Sequence, residues 1–500
     1  MKREWMAALG AVAVGALAVG GYWYADRELR AAAETGMQRI NAFYAARKMP
    51  PVTYERLETH VFSLSATLFN LRQNGTVTTS DVEQILDSVI ARAEISKGRG
   101  DRIDVVLEDL KVSSQATILG ADQDLRMETV VAVEREEMKG LDLAAIDTQG
   151  RPTDPLAWFD KVESRGIAGH MILSQEDGED EPFKVDFTAA DAGADQAENG
   201  LHRIFLNGTQ ASTSGGVSLG MRSLSMRLRP SDALGRLMDM ANSADEAAIR
   251  ATIAECGRAL AGFAVEGVEA TIPGEADPVR LDAASIDELN WRDGILTDLA
   301  FRIDHFRLAL PSAMPDDQRA LLEASGLTRI DHSMSFGLHY APDAGTLRLA
   351  PLTATTEGLL SSSLTAGFDN LHLPKVALGD AAQQQAARMQ MAAAAISAVP
   401  TPISLQLRDL GGVKKMIAAL AAQNGVSADA MVQGWSAMVL LQASAVMAPE
   451  AAAGLARDIR AFLTDKSVLN VRIAPRGALS LAAMTAMPPA QAIEVSSSAE

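Results

Sequence analysis

Apolar and polar residues alternate along much of this chain, and the alternation slips in a recurrent way. In residues 333–373, Met334, Phe336, Leu338 and Tyr340 alternate with Ser, Gly and His, Pro342, Asp343 and Gly345 supply turn residues, and Leu347 and Leu349 resume the alternation. This predicts a β-hairpin with one buried face. A further strand at Leu364, Ala366 and Phe368 then shifts phase by one residue and resumes at Leu371 and Leu373. The same apolar-x-apolar-x-apolar-x-x-apolar step fits Leu64–Leu71, Ile103–Leu110, Val217–Leu224, Val279–Ile286, Leu299–Phe306 and Ile403–Leu410. With side chains of period two, a strand that slips by one would turn its apolar set to the wrong face. An extra residue at the step restores the face and adds twist, as a β-bulge does. Polar pairs at the step, such as Phe69-Asn70, Asp304-His305 and Asp369-Asn370, suit such a kink. Leu364, Ala366 and Phe368 are expected in the core.

Helical spacing appears elsewhere. Leu29, Ala33, Met37, Ile40 and Tyr44 predict an amphipathic stalk. Ser243 followed by Glu246 has the spacing of a capping box before a helix to about Phe263. Ala-, Met- and Gln-rich helical patterns follow at 378–398, 412–424, 427–446 and 448–464, punctuated by Gly411-Gly412, Gly425 and Pro449. Leu469, Val471 and Ile473 form a closing strand. The expected class is therefore α+β. A transmembrane helix comes first, then a long twisted antiparallel sheet with bulged strands, covered by helices concentrated in the C-terminal third. The expected segments are an anchor at 1–25, a stalk helix at 26–50, β-rich regions at 51–230 and 263–377, and a helical insertion at 231–262. A helical region at 378–465, a closing strand with a short helix at 466–484 and a flexible tail at 485–500 complete the chain.

The first segment sets the compartment. Trp5 to Ala25 contains no charged residue. As a helix it spans roughly 31 Å, about one hydrocarbon core. Lys2 and Arg3 precede it, and Tyr22, Trp23 and Tyr24 mark its far edge, where a cleaved leader would carry small residues. The reading is an uncleaved anchor in the inner membrane, single pass, with the rest of the chain in the periplasm. The 45 basic and 64 acidic residues leave a net charge of −19, which excludes nucleic acid as a partner. The single cysteine, Cys256, excludes an intrachain disulfide and reads as a core residue.

Motifs for chemistry are sparse. Gly216-Val217-Ser218-Leu219-Gly220 matches G-x-S-x-G, but Ser218 sits inside an alternating segment rather than at a strand-to-helix turn. The histidines at 60, 170, 202, 305, 332, 339 and 372 have no metal-ligand spacing. On the hairpin, His332 shares the face of Met334 and His339 does not. The acidic run at 174–182 lacks calcium-loop spacing and reads as a solvated hairpin tip. No catalytic, cofactor-binding or metal-binding residue is assigned, and no cofactor is expected.

A basic start, one apolar anchor and β-rich stretches such as "HYAPDAGTLRLAPLTATTEGLLSSSLTAGFDNL" and "LTDKSVLNVRIAPRGALSLAAM" resemble bacterial envelope proteins of the YdgA-like and AsmA-like kind. The resemblance implies an inner-membrane anchor and a long curved periplasmic sheet with an apolar face, in a group associated with phospholipid movement. The expected function is non-enzymatic: a membrane-anchored envelope protein that binds lipid or a protein partner through its β-rich region. A purely structural scaffold and a periplasmic hydrolase with an unrecognised site are the alternatives. A sheet with one dry face must be covered by helices, another chain or acyl chains. Met389, Met391, Met416, Met431, Met438 and Met447 make the C-terminal helices candidates for an adaptable cover.

Overall fold

The computed structural model describes residues 26–31, 33–38, 41–42, 45, 50–78, 82–100, 102–118, 125–142, 155–175, 181–196, 200–233, 236, 246–275, 277–310, 314–374 and 381–500. The chain divides into two compact units, Met1–Ala259 and Leu260–Glu500. The expected α+β class is corrected, because strand accounts for 54% and helix for 26% and both units are mainly antiparallel sheet. The expected anchor at residues 5–25 lies outside the described residues. Among the described residues no helix is long and apolar enough to cross a membrane.

In the first unit the described residues of 26–38 are helical. The strands follow as β1 (Arg56–His60), β2 (Ser65–Thr78), β3 (Val82–Lys97), β4 (Ile103–Ile118) and β5 (Leu125–Leu141). Then come β6 (Lys161–Gln175), β7 (Phe183–Gln196), β8 (His202–Thr213) and β9 (Ser218–Leu228), and helix α1 (Glu246–Ala259) ends the unit. Each strand from β1 to β9 pairs antiparallel with the next, a meander. Such pairing needs only short turns and suits strands with one apolar face. The best-buried core lies at its start, where Ala33 and Met37 of the helical segment pack with Leu57, Ala66, Leu68, Leu71 and Ala93.

The phase step is shared by the whole unit. Phe69 pairs with Arg92 and Leu71 with Ile90, so Asn70 stands opposite Ala91 and the register is kept. The same holds for Ala91 opposite Asp109, Asp109 opposite Glu134, Glu134 opposite Gly166, and Gly166 opposite Ala190. On β8 and β9, Gly208 faces Arg222 in the same way. Every other strand carries a left-handed residue at this line: Asn70 (φ 51°), Asp109 (φ 54°), Gly166 (φ 63°) and Gly208 (φ 60°). This corrects the picture of an extra residue in one strand. All the strands slip face along one line, so no strand needs an unmatched residue and the apolar face stays continuous across it. Asn and Asp tolerate the left-handed region better than other residues with a Cβ. Gly166 also lies against Glu134, whose carboxylate would meet an added Cβ. Gly166→Ala is therefore expected to cost at least about 1–2 kcal/mol, read as a lower urea midpoint with an unchanged slope.

The second unit comprises β10 (Leu260–Thr271), β11 (Val279–Arg292), β12 (Ile295–Ala309), β13 (Arg329–Ala341), β14 (Thr346–Thr356) and β15 (Leu360–Asp369). These are followed by β16 (Val399–Pro400), β17 (Ile403–Asp409), β18 (Val468–Pro475) and β19 (Ile493–Ala499). β10 to β15 form a meander, β15 pairs with β16 and β17, and β17, β18 and β19 continue it. Residues 493–499, expected as part of a flexible tail, are thus a strand. Gly267 (φ 60°), His305 (φ 48°) and Asn370 (φ 55°) are left-handed here. At Asp304-His305 the register does shift by one, the one-sided bulge anticipated for that step.

Helices interrupt this sheet as α2 (Asp316–Ala324), α3 (Ala381–Ser397), α4 (Val413–Gln423), α5 (Ala428–Ser444), α6 (Pro449–Thr464), α7 (Leu481–Thr485) and α8 (Pro489–Ala492). α6 lies on β18 and β19, burying Ala452, Ala456 and Phe462, and its Asp458 accepts a hydrogen bond from Ser497 at 2.6 Å. A second core gathers Ile295, Tyr340, Leu371 and Ala398. The Tyr340 hydroxyl donates to the Leu371 carbonyl at 2.9 Å and accepts from the Leu373 amide at 3.0 Å. Leu364, Ala366 and Phe368 are half-buried rather than core residues, with Phe368 packed on the rim of this cluster.

Candidate functional site

Register assigns the two faces of the first unit. Cross-strand partners share a face, so the row Leu68, Ala93, Leu107, Glu136, Ser164, Ala192, Leu206 lies on one side of the sheet. Across the line of kinks the same side carries Val112, Val131, Gly169, Phe187 and Ala211. At the far end it carries Leu173 and Phe183. This is a continuous apolar face, and the helical segment at 26–38 packs on its first strands. Beyond them cover is thin. On β4 to β9 the buried apolar residues of this face, among those described, are Val105, Ala116, Val133, Ala189 and Ala194. Three of the five are alanines, which hide easily. Val112, Val131, Met171 and Phe187 stay half-exposed, and Phe183, Val217 and Leu219 are 47%, 40% and 44% exposed. A contiguous apolar surface of this kind marks a binding face on a protein.

Two ionisable side chains lie on this face of β4 to β9 among the described residues, Glu136 within it and His202 at the start of β8. Glu136 stands between Leu107 and Ser164 on the apolar face. Burial raises its carboxyl above the ordinary value, because the charged form loses hydration with no cation to replace it. Glu136 and Ser164 together make a small polar spot in an apolar row.

The opposite face is ionic. Arg92 joins Glu94 at 2.9 Å and Glu108 at 3.1 Å, and Arg135 reaches Glu108 at 3.4 Å. Near β6 to β9 a hollow of about 400 Å³ is lined by Lys161, Glu163, Asp191, Asp195, Arg203 and their neighbours. Its charges are matched internally, with Lys161 and Arg165 on Glu163 at 2.5 and 2.7 Å and Arg203 on Asp195. The hydrogen bond from Arg165, then that from Lys161, holds the Glu163 carboxyl down at about 2, against an ordinary 4.5. A depressed carboxylate stabilises the fold above its unfolded value and loses that contribution as pH falls. Glu163→Gln is expected to lower stability at pH 7, with the deficit shrinking between pH 4.5 and about 2 and gone below it. Urea unfolding of variant and parent at several pH values checks this.

The residues singled out in the sequence do not converge. Ser218 begins β9, pairs with Ser212 and has no nucleophile-elbow turn. His60 meets Thr67 at 3.3 Å, His332 meets Thr356 at 3.1 Å, and His339 meets Asp298 at 2.6 Å. His332 lies opposite Phe306 and so shares the apolar side, while His339 is exposed. His305 contacts the buried Asp331 at 2.9 Å, and Arg307 holds the other oxygen of that carboxylate at 3.2 Å. Burial pushes the Asp331 carboxyl up, but the bonds from His305 and Arg307 outweigh it and leave it below the ordinary value. Ser333 accepts the His305 backbone N–H at 3.0 Å. A nucleophile would instead be bonded to the imidazole. Cys256 is half-buried in α1, its thiol pushed up first by burial and then by Glu255. Among the described residues no group of His, Cys, Asp and Glu is placed to hold a metal ion. Met389 and Met438, expected in a helical cover, are 64% and 56% exposed.

Glu136 was missed because a Glu in an alternating strand reads as a solvent-side residue. Its signal is phase: it falls in step with Val133 and Met138 only when the slip at Glu134 is counted.

A family model described as "Uncharacterized protein" matches residues 290–497, within the second unit. No curated protein and no solved structure matches the chain.

Proposed function

We propose that the protein is a non-enzymatic, membrane-attached envelope protein whose first unit holds a lipid acyl chain against its apolar face. The observation that carries this reading is the largely apolar surface from β4 to β9 with half-exposed Val112, Val131, Met171 and Phe187. Leaving that area in water is unfavourable by roughly 25 cal/mol per Å², and an acyl chain relieves it without any change of fold. Glu136 and Ser164 supply a polar spot for a hydroxyl or amide of the same ligand. The uncharged residues 5–25 would keep the protein at the inner membrane with its bulk in the periplasm. The pattern shared with AsmA-like proteins supports the same reading.

The test is native mass spectrometry of the full chain extracted from the membrane fraction. A mass increment of one phospholipid that survives mild activation supports the proposal. A lipid-free chain would turn the same face over to a protein partner and defeat the lipid reading.

A further inference from the structure

The second unit carries a hollow of about 560 Å³ on the side of its sheet away from α6. α6 contacts Ser497, and the neighbouring Ser496 and Ser498 point the other way, as alternation in a strand requires. Two cross-strand rows line the hollow. One is Ser363, Gln406, Asn470 and Ser498, and the next is Thr365, Ser404, Arg472 and Ser496. The first row is partly pre-ordered, with Gln406 Nε2 donating to Asn470 Oδ1 at 3.0 Å. Among the described residues no carboxylate lines the hollow. Glu494 lies on this face two residues beyond Ser496 on β19, and among the described residues it makes no ion pair with Arg472.

The net charge is −19. Four other arginines on the strands of this unit face a carboxylate: Arg280 meets Glu269, Arg302 meets Asp304, Arg307 meets Asp282 and Arg348 meets Asp369. Among the described residues Arg472, and Arg408 one row past Gln406, have no such partner. Hydroxyls both donate and accept, amides do both with separate atoms, and guanidinium groups donate in a planar fork suited to a carboxylate or phosphate. A surface offering many neutral donors and acceptors plus an uncompensated guanidinium complements a ligand of many hydroxyls and one negative group. We infer that this hollow binds an acidic sugar, a polyhydroxylated ring whose carboxylate pairs with Arg472 while its hydroxyls meet the Ser, Thr, Gln and Asn side chains. The inference stands on the second unit and does not depend on lipid binding by the first.

Titration calorimetry on the full chain tests it, with trisaccharides of galacturonic and glucuronic acid, uncharged galactose and glucose trisaccharides as controls, and inorganic phosphate as a separate arm. Charge-assisted hydrogen bonds predict that an acidic trisaccharide binds at least about tenfold tighter than its uncharged counterpart. Arg472→Met, at an exposed position, should remove that advantage without shifting the melting temperature. Gln406→Ala should weaken acidic and neutral sugars alike. The inference is overturned if no acidic trisaccharide binds, if acidic and neutral sugars bind equally, or if Arg472→Met leaves the preference intact. Phosphate binding as tight as that of the sugars would also overturn it, since the hollow would then be an anion site with no role for the hydroxyls.

Discussion

Replacing Leu68 by alanine is expected to lower the stability of the protein by about 2–5 kcal/mol. Leu68 is 1% exposed and sits where the helical segment, β2 and β3 converge on Ala33, Met37, Leu71 and Ala93. Three of its neighbours are Ala or share a strand with it, so the surroundings have little freedom to close over the gap. The cost is the lost transfer energy of the removed atoms plus the cavity left behind. Urea unfolding monitored by circular dichroism reads it. The same experiment on Phe368 should give a smaller loss, since Phe368 is half-buried at the rim of the second core. Equal effects at the two sites would mean that the helical segment does not close the first core.

Val131→Lys is expected to abolish lipid retention, and Val130→Lys to leave it unchanged. The two valines are adjacent, identical in type and both half-buried on β5. Val131 pairs with Val112 and Gly169 on the apolar face, whereas Val130 pairs with Ser113 and His170 on the ionic one. A lysine at 131 places an ammonium group in the path of an acyl chain, at a desolvation cost. Because both sites are half-exposed, each variant should fold, and a melting curve for each separates loss of binding from loss of structure. Lipid extracted from the purified variants and quantified per chain gives the comparison.

The strands were legible because their alternation is long and their apolar members are bulky. The step between Phe69 and Leu71, or between Ile303 and Phe306, was legible too, and the residues with left-handed backbone there are the polar Asn70 and His305. A single strand shows its own phase but not its partner's. The lockstep of Asn70, Ala91, Asp109 and Glu134 along one line therefore emerges only from pairing. The tail at 493–499 looked frayed because Ser496, Ser497 and Ser498 are poor strand formers. Pairing with Leu469, Val471 and Ile473 on β18 overrides that local preference. The hollow around Arg472 was illegible for a related reason. Serines and threonines on alternate positions are what any solvent face carries, and only four strands side by side reveal that no carboxylate answers the arginine.

The central claim is that the apolar face of the first unit touches lipid. A photoreactive amino acid placed at Val131, and in a second strain at Val130, tests it most directly in cells expressing the full chain. After irradiation and purification, the intact mass of each protein is measured. Our account predicts a covalent adduct of phospholipid mass from position 131 and none from position 130. No adduct at 131, or equal adducts at both positions, would contradict it.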